Sequence, residues 1–215
     1  MADTMTTNEV DALDALRVSP AAHLADEMEA VSRSSVSGEG GQAVSLREIP
    51  FTVQLGLRAV PGSESAQAIE SSLSVTLPTA VGEVTGDPDG LHVIWLSPDE
   101  FLSVDVSRRQ QPGETVAVEA ALEGLPGQVV DLSANRTILV LEGTEARSVL
   151  EKTCRADLHP RVFAVGSALL TQVGQVPVIL HRTAENTYRL FPRASFAEHL
   201  VRWLLDGMHE FTKDA

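Results

Sequence analysis

Three residues near position 155 are the clearest candidates for nucleophilic chemistry. Cys154, Asp157 and His159 lie within one short segment, and a thiol nucleophile needs a nearby base and a third group that orients the base. Cys154, however, falls on the predicted inward face of a helix, where a free cysteine behaves as a small apolar residue. His159 precedes Pro160 in a predicted loop. The pattern favours packing and loop roles, and we predict no catalytic residue in this chain.

The histidines and glycines indicate neither a metal site nor a nucleotide site. None of the histidines stands at zinc-ligand spacing from another histidine or from the cysteine, and each is interpreted as a surface or core-edge residue. They are His23, His92, His159, His181, His199 and His209. The glycine-rich run 38–41 follows no predicted strand, whereas phosphate-binding loops join a strand to a helix. We therefore predict no metal ligand and no cofactor-binding residue.

Composition limits the class of protein. The 215 residues suffice for one large or two small domains. Aromatic residues make up only 4%, so Val, Leu, Ile and Ala must build the core. No apolar run approaches the roughly 20 residues of a membrane span, and no secretory signal is visible. The single cysteine allows no internal disulfide. These features predict a cytoplasmic protein that does not enter membranes.

The charge distribution argues against nucleic acid as a partner. The formal net charge is −14, so a phosphate backbone would be repelled unless a local basic patch compensated. Arg108-Arg109 is the only adjacent basic pair, and residues 1–50 carry nine acidic side chains against three arginines. The acidic start of the chain is either a solvated leader or a tail that docks on a basic partner.

Residues 1–45 are predicted to form an arm outside the folded region. Ser19-Pro20 is a typical helix start, with Ser19 as N-cap, and it predicts a short helix over 21–31. The Ser- and Gly-rich segment 32–42 predicts a flexible connection. A helix joined in this way often packs on something else, such as another subunit.

The folded region is predicted to span 46–215, as two halves over about 46–132 and 133–215. In the first half, patterning predicts strands near 51–57, 91–96, 101–106 and 129–132, with helices over 65–73 and 113–124. This is the β-α-β-β-α-β order of a ferredoxin-like unit. The fold class is therefore α/β (α+β).

The second half repeats that order in part. Patterning predicts strands over 137–141, 162–173, 176–180 and 188–191, with a helix after Thr144 that includes Cys154. Gly174-Gln175 predicts a two-residue type II′ hairpin, and Pro177 indicates an edge strand or a nitrogen that faces away from a ladder. Ser195–Glu198 matches a capping box before a terminal helix whose apolar stripe includes Trp203.

Several segments resemble a known family. Asp131-Leu132-Ser133, Glu142-Gly143 and Asp157-Leu158 resemble the N-terminal part of the folate-binding aminomethyltransferase fold. The segments 19–25, 46–51 and 95–101 (SPAAHLA, LREIPF and WLSPDEF) are more specific. Together with the length, they resemble the gamma subunits of bacterial heterotetrameric sarcosine oxidases.

The resemblance implies a non-catalytic, structural subunit of a four-chain flavoenzyme. Such an enzyme demethylates sarcosine oxidatively to glycine, transfers the one-carbon unit to tetrahydrofolate and passes electrons to oxygen. The partners would be the alpha, beta and delta subunits. The complex would carry FAD, FMN, NAD and tetrahydrofolate, mainly on alpha and beta, with zinc on delta. This chain would bind none of them. The alternatives are a stand-alone folate-dependent one-carbon transferase and an acidic adaptor protein.

Overall fold

The described part of the chain forms two antiparallel sheets and five α-helices. The computed structural model describes residues 14–38 and 41–213. Within these residues the strands are β1 (Ser45–Ile49), β2 (Thr52–Arg58), β3 (Val84–Gly86), β4 (Leu91–Ser97), β5 (Glu100–Arg109), β6 (Gln128–Asp131), β7 (Ile138–Glu142), β8 (Ala168–Val173), β9 (Val176–Ala184) and β10 (Thr187–Pro192). The helices are α1 (Ala25–Ser34), α2 (Glu64–Leu73), α3 (Val116–Ala121), α4 (Ala146–Glu151) and α5 (Ala197–Met208).

The first sheet has the strand order of a ferredoxin-like unit. Its strands run β3-β4-β5-β2-β6, and every neighbouring pair is antiparallel. Along the chain the elements are β2-α2-β3-β4-β5-α3-β6. This is the predicted β-α-β-β-α-β order with the short strand β3 added at the edge. The predicted fold class, a mixed α/β protein with two such halves, is confirmed.

The second sheet repeats the first, with one strand taken from elsewhere in the chain. Its order is β1-β7-β10-β9-β8, so β7, α4, β8, β9, β10 and α5 correspond in turn to β2, α2, β3, β4, β5 and α3. The position of β6 is occupied by β1, which pairs antiparallel with β7 from Ser45↔Glu142 to Ile49↔Ile138. The N-terminal side of the chain therefore completes the C-terminal sheet. The predicted residue limits of the two halves stay a prediction.

The elements stack in four layers. Helices α2 and α3 pack on the outer face of the first sheet, around Leu55, Leu57 and Ile69. Helices α1, α4 and α5 cover the outer face of the second sheet. The two inner faces meet in a third apolar cluster, which contains Ile94 and Phe191. Two sheets that each bury one face against helices and the other against a sheet form a common layered arrangement.

The described part of the predicted arm belongs to the core. Ala21, Leu24 and Met28 are buried with the second sheet and α5. The Ser32 hydroxyl donates to the Met28 carbonyl oxygen and accepts from the backbone N–H of Leu46. The packing of α1 in this core is contrary to the expectation that the helix packs elsewhere, and the flexibility of the segment 32–42 stays a prediction. Residues 1–13 and 39–40, which also fall within the predicted arm, lie outside the described residues.

Several predicted caps and turns take a different form. The Ser19 hydroxyl donates to Glu48 Oε2 at 2.5 Å, and α1 starts at Ala25 after a 3₁₀ turn. The predicted capping box before α5 also gives way to a 3₁₀ turn, with no side-chain cap at Phe196. By contrast, Ser63 caps α2 by accepting from the backbone N–H of Ala66. Such caps are sensitive to competing tertiary partners, because the same hydroxyl can bond elsewhere.

The predicted hairpin between β8 and β9 forms with another turn type. Gly174 and Gln175 both have positive φ, +56° and +66°, which defines a type I′ turn rather than type II′. Pro177 pairs with Gln172, and the β10 ladder on its other side ends at Val178. β9 is thus an interior strand, and the nitrogen of Pro177 faces the open side beyond that ladder. Strand β8 is also shorter than predicted and starts at Ala168.

Candidate subunit-docking site

The candidate nucleophile and base do not meet. Cys154 Sγ lies 3.9 Å from the Thr171 hydroxyl, in a partly buried position. His159 is exposed, and its Nδ1 accepts from the backbone N–H of Arg161, while Asp157 accepts from the backbone N–H of His159. Asp157 therefore shapes the loop and does not orient an imidazole towards the thiol. This geometry agrees with the packing and loop roles predicted from the sequence.

Two histidines meet between the sheets, contrary to the expectation that each lies at a surface or core edge. The ring centroids of His92 and His181 are 5.2 Å apart, and both residues are buried. His92 Nδ1 lies 3.2 Å from the Gly90 carbonyl oxygen. Within residues 14–38 and 41–213, no hydrogen-bond partner serves His92 Nε2 or either ring nitrogen of His181. Among the same residues, no group of three or more His, Cys, Asp or Glu could hold a metal ion.

Strand parity accounts for this pair. His92 has the parity of Ile94 on β4, and His181 has the parity of Ile179 on β9; both isoleucines belong to the cluster between the sheets. Desolvation by burial is the main cause that lowers the pKa of His92 to about 4 and that of His181 to about 3. Both imidazoles are therefore neutral near pH 7. Alternation in the predicted strand near 91–96 was the available signal for His92.

Arg189 links the same region to the loop between β3 and β4. Its side chain is 7% exposed and pairs with Asp89 at 3.0 Å, and it also donates to the Pro88 carbonyl oxygen. Arg189 shares the parity of Phe191 on β10 and so points between the sheets. This ion pair holds a loop of the first sheet against the second sheet.

A second unpredicted feature is the turn between β1 and β2. Phe51 has φ +57°, and the guanidinium groups of Arg17 and Arg109 each lie 4.4 Å from its ring centroid. Asp14 pairs with both guanidinium groups, at 3.0 and 3.3 Å. The backbone N–H of Gln110 donates to the Phe51 carbonyl oxygen at 2.8 Å. A left-handed backbone at a non-glycine residue persists only where its surroundings fix it, and these five contacts do so.

A pocket of about 360 Å³ opens beside Phe51. We call it the arginine pocket; its lining includes Arg17, Val18, Phe51, Ser133, Arg136 and Thr137. Arg136 donates to the Phe191 carbonyl oxygen at 3.0 Å and has no carboxylate partner among the described residues. Burial, reinforced by Arg193, lowers the pKa of Arg136. No local sequence pattern indicates the arginine pocket, because Arg17 and Arg136 are far apart along the chain.

A larger groove of about 530 Å³ lies between α1 and β1. Met28 and Leu46 line its floor, and both are buried. Ser32 reaches the outer edge of β1 at Leu46, and Glu48 is bonded to Ser19, Ala21 and Thr137. Helix α1 thus covers part of this sheet edge, as a protecting element does in many sheets.

The two stacked sheets with their helices have a counterpart among solved structures. The fold defines the class first: the chain is similar to glycine cleavage system aminomethyltransferase T from Bartonella henselae, with a TM-score of 0.55 at 16% identity. The match covers 83% of this chain and 48% of that one. At this level of identity the likeness concerns the fold alone, and it agrees with the predicted aminomethyltransferase-like architecture.

Closer relatives define the family. The family model described as "Sarcosine oxidase, gamma subunit family" matches residues 59–210. The chain is 53% identical to sarcosine oxidase subunit gamma of Corynebacterium sp. strain U-96, over 92% of each chain. It is 48% identical to the Arthrobacter sp. subunit, over 96% of this chain and 97% of that one. The chain therefore belongs to the sarcosine oxidase gamma subunit family, as the sequence resemblance predicted.

A solved assembly contains a similar chain. Heterotetrameric sarcosine oxidase from Corynebacterium sp. U-96, in complex with pyrrole 2-carboxylate, matches with a TM-score of 0.84 and 54% identity. The match covers 91% of this chain and 96% of that chain. Within residues 14–38 and 41–213, no helix is both long and apolar enough to cross a membrane.

Proposed function

We propose that this chain is the structural gamma subunit of a heterotetrameric sarcosine oxidase. The observation that carries the proposal is the 53% identity over 92% of both chains with the Corynebacterium subunit gamma. The match therefore spans most of both chains. The complex as a whole is an oxidoreductase that carries cofactors, and the other subunits are the partners of this chain.

The reaction of the proposed complex is the oxidative demethylation of sarcosine to glycine. Electrons pass to oxygen, and the one-carbon unit passes to tetrahydrofolate. We propose alpha, beta and delta subunits as the partners, with FAD, FMN, NAD and tetrahydrofolate outside this chain and zinc on delta. We also propose that the complex works in the cytoplasm and that this chain binds neither nucleic acid nor a membrane.

A non-catalytic role for this chain is supported by its side-chain geometry. Cys154 Sγ is within hydrogen-bond distance of the Thr171 hydroxyl and not of a histidine. The His92–His181 pair is buried between the sheets. A general base must reach the proton that it removes, directly or through one water. Neither Cys154 nor the His92–His181 pair meets that requirement. The likeness to aminomethyltransferase T concerns the fold and does not favour a folate-dependent transferase.

The test is to measure sarcosine-dependent oxygen consumption of the co-expressed complex with altered subunits. Cys154→Ala and His159→Gln should leave kcat unchanged, since neither group is expected to touch the reacting atoms. Omitting this chain should reduce the yield of intact complex. A large loss of kcat in either variant, in a complex that assembles normally, would show that this chain supplies catalytic groups.

A further inference from the structure

The arginine pocket holds a cation that the described part of this chain does not neutralise. Arg136 is partly buried, and among the described residues its guanidinium makes one hydrogen bond, to the carbonyl oxygen of Phe191. Charges removed from water in proteins are normally paired, because desolvation otherwise penalises them. Its neighbour across an isolated β-bridge is Arg193, another cation. A half-buried arginine next to a second arginine is therefore a position that a carboxylate would stabilise.

Among residues 14–38 and 41–213, the nearby acidic side chains are already engaged. Asp14 pairs with Arg17 and Arg109 around the Phe51 ring. The Glu48 carboxylate accepts from the Ser19 hydroxyl, the backbone N–H of Ala21 and the Thr137 hydroxyl. Arg17 and Arg136 line the pocket, Arg109 lies on the ring of Phe51, and Arg193 is bridged to Arg136. These four cations lie on one face of a chain whose formal net charge is −14. An acidic group could approach this face more favourably than the rest of the molecule.

The surroundings of the pocket have the composition of a protein interface. Leu16 and Val18 are 75% and 78% exposed, although both are apolar. The ring of Phe51 lies between two guanidinium groups, in a backbone conformation held by its neighbours. Aromatic residues and arginine are enriched at interface centres, where rigid side chains lose little entropy on binding. A preformed pocket bordered by exposed apolar residues fits a protein partner.

We propose that the arginine pocket is a docking site for an acidic segment of another subunit, with an Asp or Glu carboxylate placed against Arg136. The inference rests on the proposed function, because it requires partner subunits. The planar guanidinium offers several N–H donors, so it can hold a carboxylate through two parallel hydrogen bonds. Ser133 and Thr137 also line the pocket, but their hydroxyls already donate to the Gln54 carbonyl oxygen and to Glu48. Leu16 and Val18 would be covered by apolar side chains that flank the acidic residue.

Charge variants at the exposed Val18 separate this proposal from effects on folding. Val18→Glu adds a carboxylate at the pocket, and Val18→Lys adds an amine of similar length; both lose the same apolar contact. Subunit dissociation of the co-expressed complex is followed by native mass spectrometry over a salt series. We expect Val18→Glu to weaken the attachment of this chain at least about 3-fold relative to Val18→Lys, with the difference shrinking at high salt.

Substitution of Arg136 tests the central contact. Arg136→Gln should raise the dissociation constant of this chain about 30-fold or more, because a buried charge on the partner loses its counter-ion. Arg136→Lys should recover part of the loss. Arg202→Gln is the matched control, since Arg202 is a half-exposed arginine that pairs with Glu198 and Glu27 on the described surface. Far-ultraviolet circular dichroism of the intact complexes establishes that the folds are equal.

Zero-length cross-linking identifies the partner group directly. In the Arg136→Lys complex, a carbodiimide joins the new amine to a carboxylate in contact with it. The expected product links the peptide containing position 136 to an Asp or Glu of another subunit. Links only to carboxylates of this chain itself, such as Glu48 or Asp131, would overturn the proposal, as would equal dissociation of the two Val18 variants. The proposal would also be overturned if the parent complex released a small dicarboxylic acid and the two Val18 variants assembled alike.

The proposed function and the proposed docking site are refuted by different results of these experiments. If the parent chain does not join a larger complex, the proposed function is refuted. If the parent joins and all variants join equally well, only the role of the arginine pocket is refuted.

Discussion

The buried histidine pair makes the stability of this chain sensitive to mild acid. His92 and His181 lie between the sheets with three ring nitrogens that lack described partners. Burial lowers the pKa of His92 to about 4 and that of His181 to about 3. In the unfolded chain both groups titrate near their ordinary value of about 6.5. As the pH falls below 6.5, the unfolded state therefore binds more protons, and folding stability is lost.

The size of the effect follows from proton linkage. Each histidine costs about 1.4 kcal/mol per pH unit between its unfolded and folded pKa values. Between about pH 7.5 and 5.5, the pair should lower the free energy of unfolding by about 2–3 kcal/mol. Domains of this kind have only about 5–15 kcal/mol of stability. The loss should therefore be visible as a clear shift in the unfolding midpoint.

Urea unfolding of the purified chain, followed by tryptophan fluorescence, measures this difference. His181→Phe keeps an aromatic ring but removes one titrating group, so it should lose only about half as much stability over the same pH interval. The substitution also removes two unpaired buried nitrogens. At pH 7.5 this gain should offset the stability that is lost through the change in side-chain shape. His159→Gln is the control, because it leaves the buried pair intact. Equal pH dependence of stability in the parent and in His181→Phe would show that the buried histidine pair does not cause the acid sensitivity.

Three further perturbations follow from the packing. Gly143→Ala should cost at least about 2 kcal/mol, because φ is +131° and a Cβ would lie 2.8 Å from Val44 Cα; Gly124→Ala, with open space around it, should cost less in the same urea titration. Asp89→Ala should cost about 1–2 kcal/mol by leaving the buried Arg189 without its carboxylate, whereas Asp99→Ala, beside the half-exposed Arg58, should stay within about 0.5 kcal/mol. Deleting residues 1–34 should abolish cooperative thermal unfolding, because it removes three buried core residues at about 2–5 kcal/mol for each large one; a parental calorimetric transition would contradict this.

The sequence predicted regular elements well where one face is apolar. The alternation over 51–57 and the helical spacing over 65–73 correspond to β2 and α2. These patterns are local, and burial of one face determines them. The order of elements in the first half followed from them, and the aminomethyltransferase-like architecture then followed from the resemblance.

The sequence did not predict where β1 belongs. The strand has only five residues, which are mostly polar, and its partner β7 lies about 90 positions further along the chain. Pairing over such a distance leaves no local periodicity. The same reason accounts for α1, whose Met28 packs in the core of the second sheet although a Ser-rich segment follows it.

Polar contacts between distant elements could not be predicted from the sequence either. The contact of His92 with His181 requires the two sheets to be stacked, and the Arg17–Phe51–Arg109 arrangement joins three separate segments. The left-handed conformation at Phe51 has no sequence signature, because glycine or asparagine is the usual residue there. Trp203 belongs to the predicted apolar stripe of the terminal helix, but it is 40% exposed, and its Nε1 donates to the Thr153 hydroxyl.

The central claim is that this chain works as one subunit of a larger oxidase. The most direct measurement is native mass spectrometry of the complex isolated through an affinity tag on this chain, with sarcosine oxidation assayed on the same sample. The account predicts one copy of this chain with three other subunits, including large flavin-containing chains, and sarcosine-dependent oxygen consumption. Recovery of this chain alone, or with partners that carry no flavin and do not oxidise sarcosine, would contradict it.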